Sequence, residues 1–168
     1  MNWFEAHAKD AKLPGDKRLA IVCGCLLLGG VLQGQADPLV GHWKLNVSRT
    51  HYGGGAEPRT KETFDCIAAG AGVHCTIQSL MTDGRTVRGS FSAAYDGTPG
   101  LAEGFPEVDH VKLTKIDAFI VDASFTSHGR LVFGYRAVRS VDRRSLTIIS
   151  VEPASRAVLN SVVVYDQR

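Results

Sequence analysis

From Trp43 onward, apolar side chains recur at every second residue, and turn residues break the pattern at short intervals. Neighbouring side chains on a strand point to opposite faces, so this period reads as strands with one face buried. Trp43, Leu45 and Val47 alternate with Lys44 and Asn46. Glu62, Phe64 and Cys66 lead into a hairpin, and Val73, Cys75 and Ile77 leave it. Val87, Gly89, Phe91, Ala93 and Tyr95 share one face. Val111 with Leu113, then Phe119 to Phe125, then Leu131 to Ala137 repeat the pattern. Leu146 to Val151 and Val158 to Tyr165 close the chain as apolar strands. Between them lie Ala69–Gly72, Asp83-Gly84, Asp96-Gly97, Ser127-His128-Gly129 and Asp142-Arg143-Arg144, all rich in turn-forming residues. Pro99-Gly100 opens a stretch read as irregular up to Pro106.

That gives about nine strand segments and no amphipathic helix of three turns. Consecutive strands joined by short turns form a meander. A meander removes its exposed edges by closing on itself. The predicted fold is therefore all-β: an antiparallel meander closed into a roughly eight- to nine-stranded up-and-down barrel. A two-sheet sandwich with the same connections is the alternative. Gly89 and Gly134, inside strands, mark barrel bends or close backbone approach.

The first 36 residues have a different grammar. A polar stretch ends in Asp16-Lys17-Arg18, and residues 19–32 carry no charge. Small residues follow at Gly34 and Ala36. A positive flank, a short apolar run and a small-x-small site make a secretory signal. A spanning helix needs about 20 apolar residues, more than this run supplies. The expectation is a signal peptide or N-terminal anchor over 1–36, with the barrel domain over 37–168. A lipoprotein reading through Cys25 and a buried helix of a cytosolic domain are the weaker alternatives. The exported reading places the domain in the periplasm or outside the cell, with membrane attachment only through an uncleaved N-terminal segment.

Charge excludes one class of partner. The chain has 19 basic and 17 acidic residues, and no Lys/Arg cluster forms a basic face. Nucleic-acid binders concentrate such charge, so none is expected as a partner. Electrostatic steering toward polyanions is likewise not expected.

Cys66 and Cys75 flank the Ala69–Gly72 turn symmetrically. A hairpin closed there sets them opposite each other, where non-hydrogen-bonded Cα atoms are about 4.5 Å apart. In an oxidising compartment the pair is expected to form a disulfide. Two buried free thiols are the alternative. The spacing excludes a CxxC-type zinc or redox site.

The stretch Gly41-His42-Trp43-Lys44-Leu45-Asn46 resembles the opening of lipocalins and of the related intracellular lipid-binding barrels. The resemblance implies that Trp43 plugs the closed barrel end as a structural residue. It also implies a basic residue over the tryptophan, with Arg139 and Arg168 as candidates. The opening, with Arg49-Thr50 and Tyr52 behind it and the ending NSVVVYD over 160–166, is also similar to small secreted bacterial lipocalin-like proteins of uncharacterised function. This similarity spans most of residues 41–167 and brings no reaction with it.

An eight-stranded barrel has room for packed side chains or one small ligand. The inward set proposed as ligand-binding is Phe64, Ile77, Phe91, Tyr95, Phe125, Phe133 and Tyr135. Such a lining suits an apolar or aromatic molecule oriented by tyrosine hydroxyls. A solid core made of the same residues is the competing reading. No cofactor is expected. The histidines His42, His51, His74, His110 and His128 have no metal-ligand spacing, and no G-x-S-x-G elbow occurs. No catalytic residue is therefore assigned. The Gly53–Gly55 loop reads as a flap at one barrel end. Three functions remain in view: a carrier of a small apolar molecule, a cell-envelope interaction protein with a solid barrel, and a lipocalin-like cyclase or isomerase. The last would carry a lumenal polar residue of shifted pKa, such as Tyr135 or Arg139.

Overall fold

The computed structural model describes residues 37–53, 56–151 and 158–168, the last segment from 161 onward with side chains. The signal or anchor expected over 1–36 lies outside the described residues, as do Gly54 and Gly55 of the expected flap. Among the described residues no helix is long and apolar enough to cross a membrane.

Turns fall where residues tolerate a left-handed backbone. Gly70, Gly84, Gly97 and Gly129 have φ of 56°, 87°, 82° and 76°. His128 and Arg143 adopt φ of 48° and 61° in their own turns. Between these points run β1 (Gly41–Leu45), β2 (Arg59–Ala69), β3 (Gly72–Met81), β4 (Thr86–Ala94) and β5 (Gly100–Glu103). They continue as β6 (His110–Lys115), β7 (Ile120–Ser127), β8 (Arg130–Arg139), β9 (Ser145–Val151) and β10 (Val158–Gln167). A 3-10 turn, Val47–Arg49, follows β1 and is capped by the Asn46 side chain, which accepts from the Arg49 N–H.

Every strand pairs antiparallel with the next in sequence, and β1 also pairs with β10. The sheet is therefore a closed up-and-down barrel, not a two-sheet sandwich. Among the described residues it has ten strands, against the eight to nine expected. The difference is β5, within the stretch read as irregular. Its four residues include a glycine and lack β-branched side chains, so propensity does not mark them. Tertiary pairing does: Phe91 faces Ala102 on one side, and Leu101 faces His110 on the other. Gly100 is essential to that approach, because a Cβ there would sit 1.9 Å from the Ser92 carbonyl oxygen.

The register places the alternation as read. Phe64 pairs with Ile77 and Trp43 with Phe64. Cys66 faces Cys75 across the hairpin, and the two form a disulfide with Cα atoms 4.1 Å apart. Aromatic rings then bridge the interior. Tyr165 contacts Phe64, Phe64 contacts Phe91, and Phe91 meets Phe125 edge-on at 6.0 Å. Phe105 joins from the segment after β5, packing 6.5 Å from Phe125. Its ring occupies the space over Gly89, where a Cβ would lie 2.4 Å from it.

One barrel end is plugged. Trp43 has no exposed surface and donates from Nε1 to the Leu39 carbonyl at 2.8 Å. Arg139 covers the indole, its Cζ 5.1 Å from the ring, and donates to the Asp37 and Val40 carbonyls. The segment Asp37–Val40 is thereby folded back over the tryptophan.

Candidate functional site

Inward residues of β8 and β9 change in exposure along the barrel. Near the Trp43 end, Ala137 and Leu146 are wholly buried. Toward the opposite end, Tyr135 and Ile148 are half-buried, and Phe133 is 42% exposed. These residues share the inner face: Phe133 pairs with Phe125, Tyr135 with Ala123 and Ile148 with Ala137. A side chain on the inner face reaches water only through an end of the barrel. The end opposite Trp43 is therefore a mouth.

Phe133 stacks on Phe125 with centroids 4.5 Å apart, and Tyr135 lies 5.4 Å from the same ring. Of the residues expected to bind a ligand, the structure brings these three together at the mouth. Phe64 and Phe91 lie deeper, in the buried aromatic row. Ile77 is half-buried and packs against the core. Tyr95 sits just past the end of β4, where its hydroxyl donates to the Asp37 carboxylate. Its place is with the plugged end.

The opposite wall of the mouth is polar. Glu62 on β2 is inward and only 3% exposed. Tyr165 and Ser79 each donate a hydroxyl hydrogen bond to its carboxylate. Arg59 contributes Nη1 at 2.9 and 2.6 Å to the two oxygens. The carboxylate's acceptor positions are thus filled, as a buried charge requires. Arg59 also stands over the Tyr52 ring at 5.7 Å. Burial alone would lower the Arg59 pKa, but Glu62 and Tyr165 leave it raised.

All four tyrosines of the chain are held neutral. Burial raises Tyr165 well above its ordinary value, and the Glu62 charge adds to this. Tyr135 is raised by burial. Burial and then the Asp37 hydrogen bond raise Tyr95. Burial also raises Tyr52, against the opposing charge of Arg59.

Proton transfer at neutral pH works best with a pKa near neutrality. Tyrosines pushed upward are hydrogen-bond donors, unsuited as bases. Arg139, the other residue expected in an enzymatic lumen, is spent on Trp43 and two backbone carbonyls. Among the described residues no three His, Cys, Asp or Glu side chains are grouped to hold a metal ion.

Sequence reasoning did not assign Glu62 a role, although the period had placed it on the face of Phe64 and Cys66. A carboxylate at an inward position was the available signal. Tyr52 lies in a loop outside the alternation and enters only through the resemblance. No protein-family model, curated protein or solved structure matches this chain.

Proposed function

We propose that this is an exported barrel that binds a small apolar or aromatic molecule in the mouth of its lumen. The observation that carries the reading is the exposure of inward side chains: Phe133, Tyr135 and Ile148 meet water through the barrel end opposite Trp43. Exposed aromatic surface on a concave inner wall is what a small apolar ligand buries. The lipocalin-like opening around Trp43 agrees with such a role, and the Cys66–Cys75 bridge suits an oxidising compartment.

The test is native mass spectrometry of the full chain recovered from an exporting host. It is followed by titration with an environment-sensitive apolar dye. The expected result is extra mass lost on denaturation, and dye binding weakened about tenfold by Phe133→Ala, the scale of one removed aromatic contact. A bare mass together with dye binding that ignores Phe133→Ala would overturn the reading.

A further inference from the structure

Two accessible hydroxyls stand on the inner wall where it opens. Tyr135 on β8 pairs directly with Ser150 on β9, in a register that runs without a shift from Gly134 to Arg139. Paired residues share a face, so both side chains point into the lumen. On the plugged side of this pair come Ala137 and Ile148, and toward the mouth comes Phe133. Tyr135 and Ser150 are half-buried, and neither hydroxyl has a hydrogen-bond partner among the described residues. The unpartnered side-chain polar atoms that are sealed from water belong to Tyr52, Arg139 and Ser161. The hydroxyls of Tyr135 and Ser150 are not of that kind, so free space adjoins both.

Water that reaches the mouth can satisfy these hydroxyls. An apolar ligand seated against Phe133 expels that water. The Tyr135 hydroxyl then loses its partner, and a polar group stranded in this way cancels much of the gain from burying the ligand. A ligand that brings an oxygen to the same point avoids the loss. Burial holds the Tyr135 phenol neutral, so it donates and the ligand must accept. Charge finds no match here. The neighbouring inward residues Ala123, Phe125, Phe133 and Ile148 are uncharged, and Arg59 is committed to Glu62 within β2. A carboxylate or an ammonium would shed its water with no counter-charge to meet it.

We infer that the Tyr135 hydroxyl, with Ser150 beside it, recognises a carbonyl oxygen on an otherwise apolar ligand. The inference rests on the carrier reading and specifies its ligand class. A hydrocarbon of the same shape leaves the phenol stranded, and the site selects against it.

Four probes of similar size test it by fluorescence titration of the full chain: 2-isopropenylnaphthalene, 2-acetylnaphthalene, 2-naphthoate and 2-naphthylmethylammonium. The first two share one shape and differ in a methylene against a carbonyl oxygen. The expected result is that the ketone binds about five- to tenfold tighter than the alkene, the worth of one neutral hydrogen bond. The charged probes should bind more weakly than the ketone. The ratio of ketone to alkene affinity is read within each variant, so any loss of folded protein cancels. Tyr135→Phe should bring the ratio to about one, because the donor is gone while the ring stays. Ser150→Ala should lower it by less. Equal binding of ketone and alkene by the unmodified chain would overturn the inference and leave the carrier reading standing. So would a ratio that Tyr135→Phe leaves in place, a larger effect of Ser150→Ala than of Tyr135→Phe, or a charged probe that binds tightest. If no probe binds, the carrier reading fails and the inference with it.

Discussion

Arg139 lies over Trp43, with Cζ 5.1 Å from the ring centroid, while its Nη1 donates to the Asp37 carbonyl at 2.7 Å. The guanidinium thus joins the last residue of β8 to the segment that enters β1. Of the two basic residues that the resemblance left open, Arg139 is the one in place. Arg139→Ala should cost about 2 kcal/mol, combining a partly desolvated cation–π contact with lost backbone hydrogen bonds. Thermal melts should show a drop of several degrees. Arg139→Lys should recover only part of it, because an ammonium cannot stack on the ring and reach two carbonyls at once.

Glu62→Gln should be more damaging than its conservative appearance suggests. It leaves Arg59 partly buried without its counter-charge, and removing one partner of a buried pair costs on the order of 3 kcal/mol. Chemical denaturation should show this loss. The double variant Arg59→Met with Glu62→Gln should recover most of it, because no charge is then stranded. Equal stability of Glu62→Gln and the parent would show that the pair contributes nothing.

The four tyrosines predict alkaline behaviour. In an unfolded chain a tyrosine ionises near pH 10. Here each is raised, so the folded protein keeps protons that the unfolded chain releases. The stability this provides is complete below about pH 10 and declines as pH rises beyond it. Tyrosinate absorbance near 295 nm should therefore stay flat past pH 10 and then appear together with loss of β-structure. A gradual tyrosinate signal in the still-folded protein would contradict the placement of these side chains.

Reduction offers a separate handle. The Cys66–Cys75 bridge closes a short loop, with nine residues of sequence separation. Loop-closure reasoning gives it about 2–3 kcal/mol. Melts with and without reductant should differ accordingly, and the double variant Cys66→Ala, Cys75→Ala should no longer respond to reductant.

Gly89→Ala should destabilise by about 1–3 kcal/mol, the usual cost of overpacking. The added methyl meets the Phe105 ring at 2.4 Å. Phe105→Leu in the same chain should relieve part of the loss. A simple change in strand propensity would make alanine neutral or better, so the sign separates the two explanations.

The parts of this fold visible in the sequence are those fixed by local chemistry. Trp43, Phe64, Phe91 and Phe125 fall on the inner face because period two leaves no other choice once one face is buried. Cys66 and Cys75 could be paired because their turn is symmetric. β5 escaped because four weakly strand-forming residues are held by pairing with Ser90 and Phe91 on one side and His110 and Val111 on the other. The mouth escaped for a related reason. Alternation says that Phe133 and Leu146 point inward, but only the three-dimensional ends of the barrel decide that one is exposed and the other sealed. The grouping of Glu62, Arg59 and Tyr165 depends on β1 lying between β2 and β10, which no local pattern encodes.

That same placement of β1 governs the order of assembly. Its five residues hydrogen-bond to β2 on one side and to β10 on the other. The first hairpin, with its cysteines, has all its residues once about half the chain has emerged, and its crosslink can be made then. The seam between β1 and β10 waits for residues near 165–167, more than a hundred residues after β1 itself. Until that final stretch arrives, two strand edges stand open. A chain stalled or clipped before Tyr165 is thus left with a nearly finished but unsealed sheet, and self-association competes with closure.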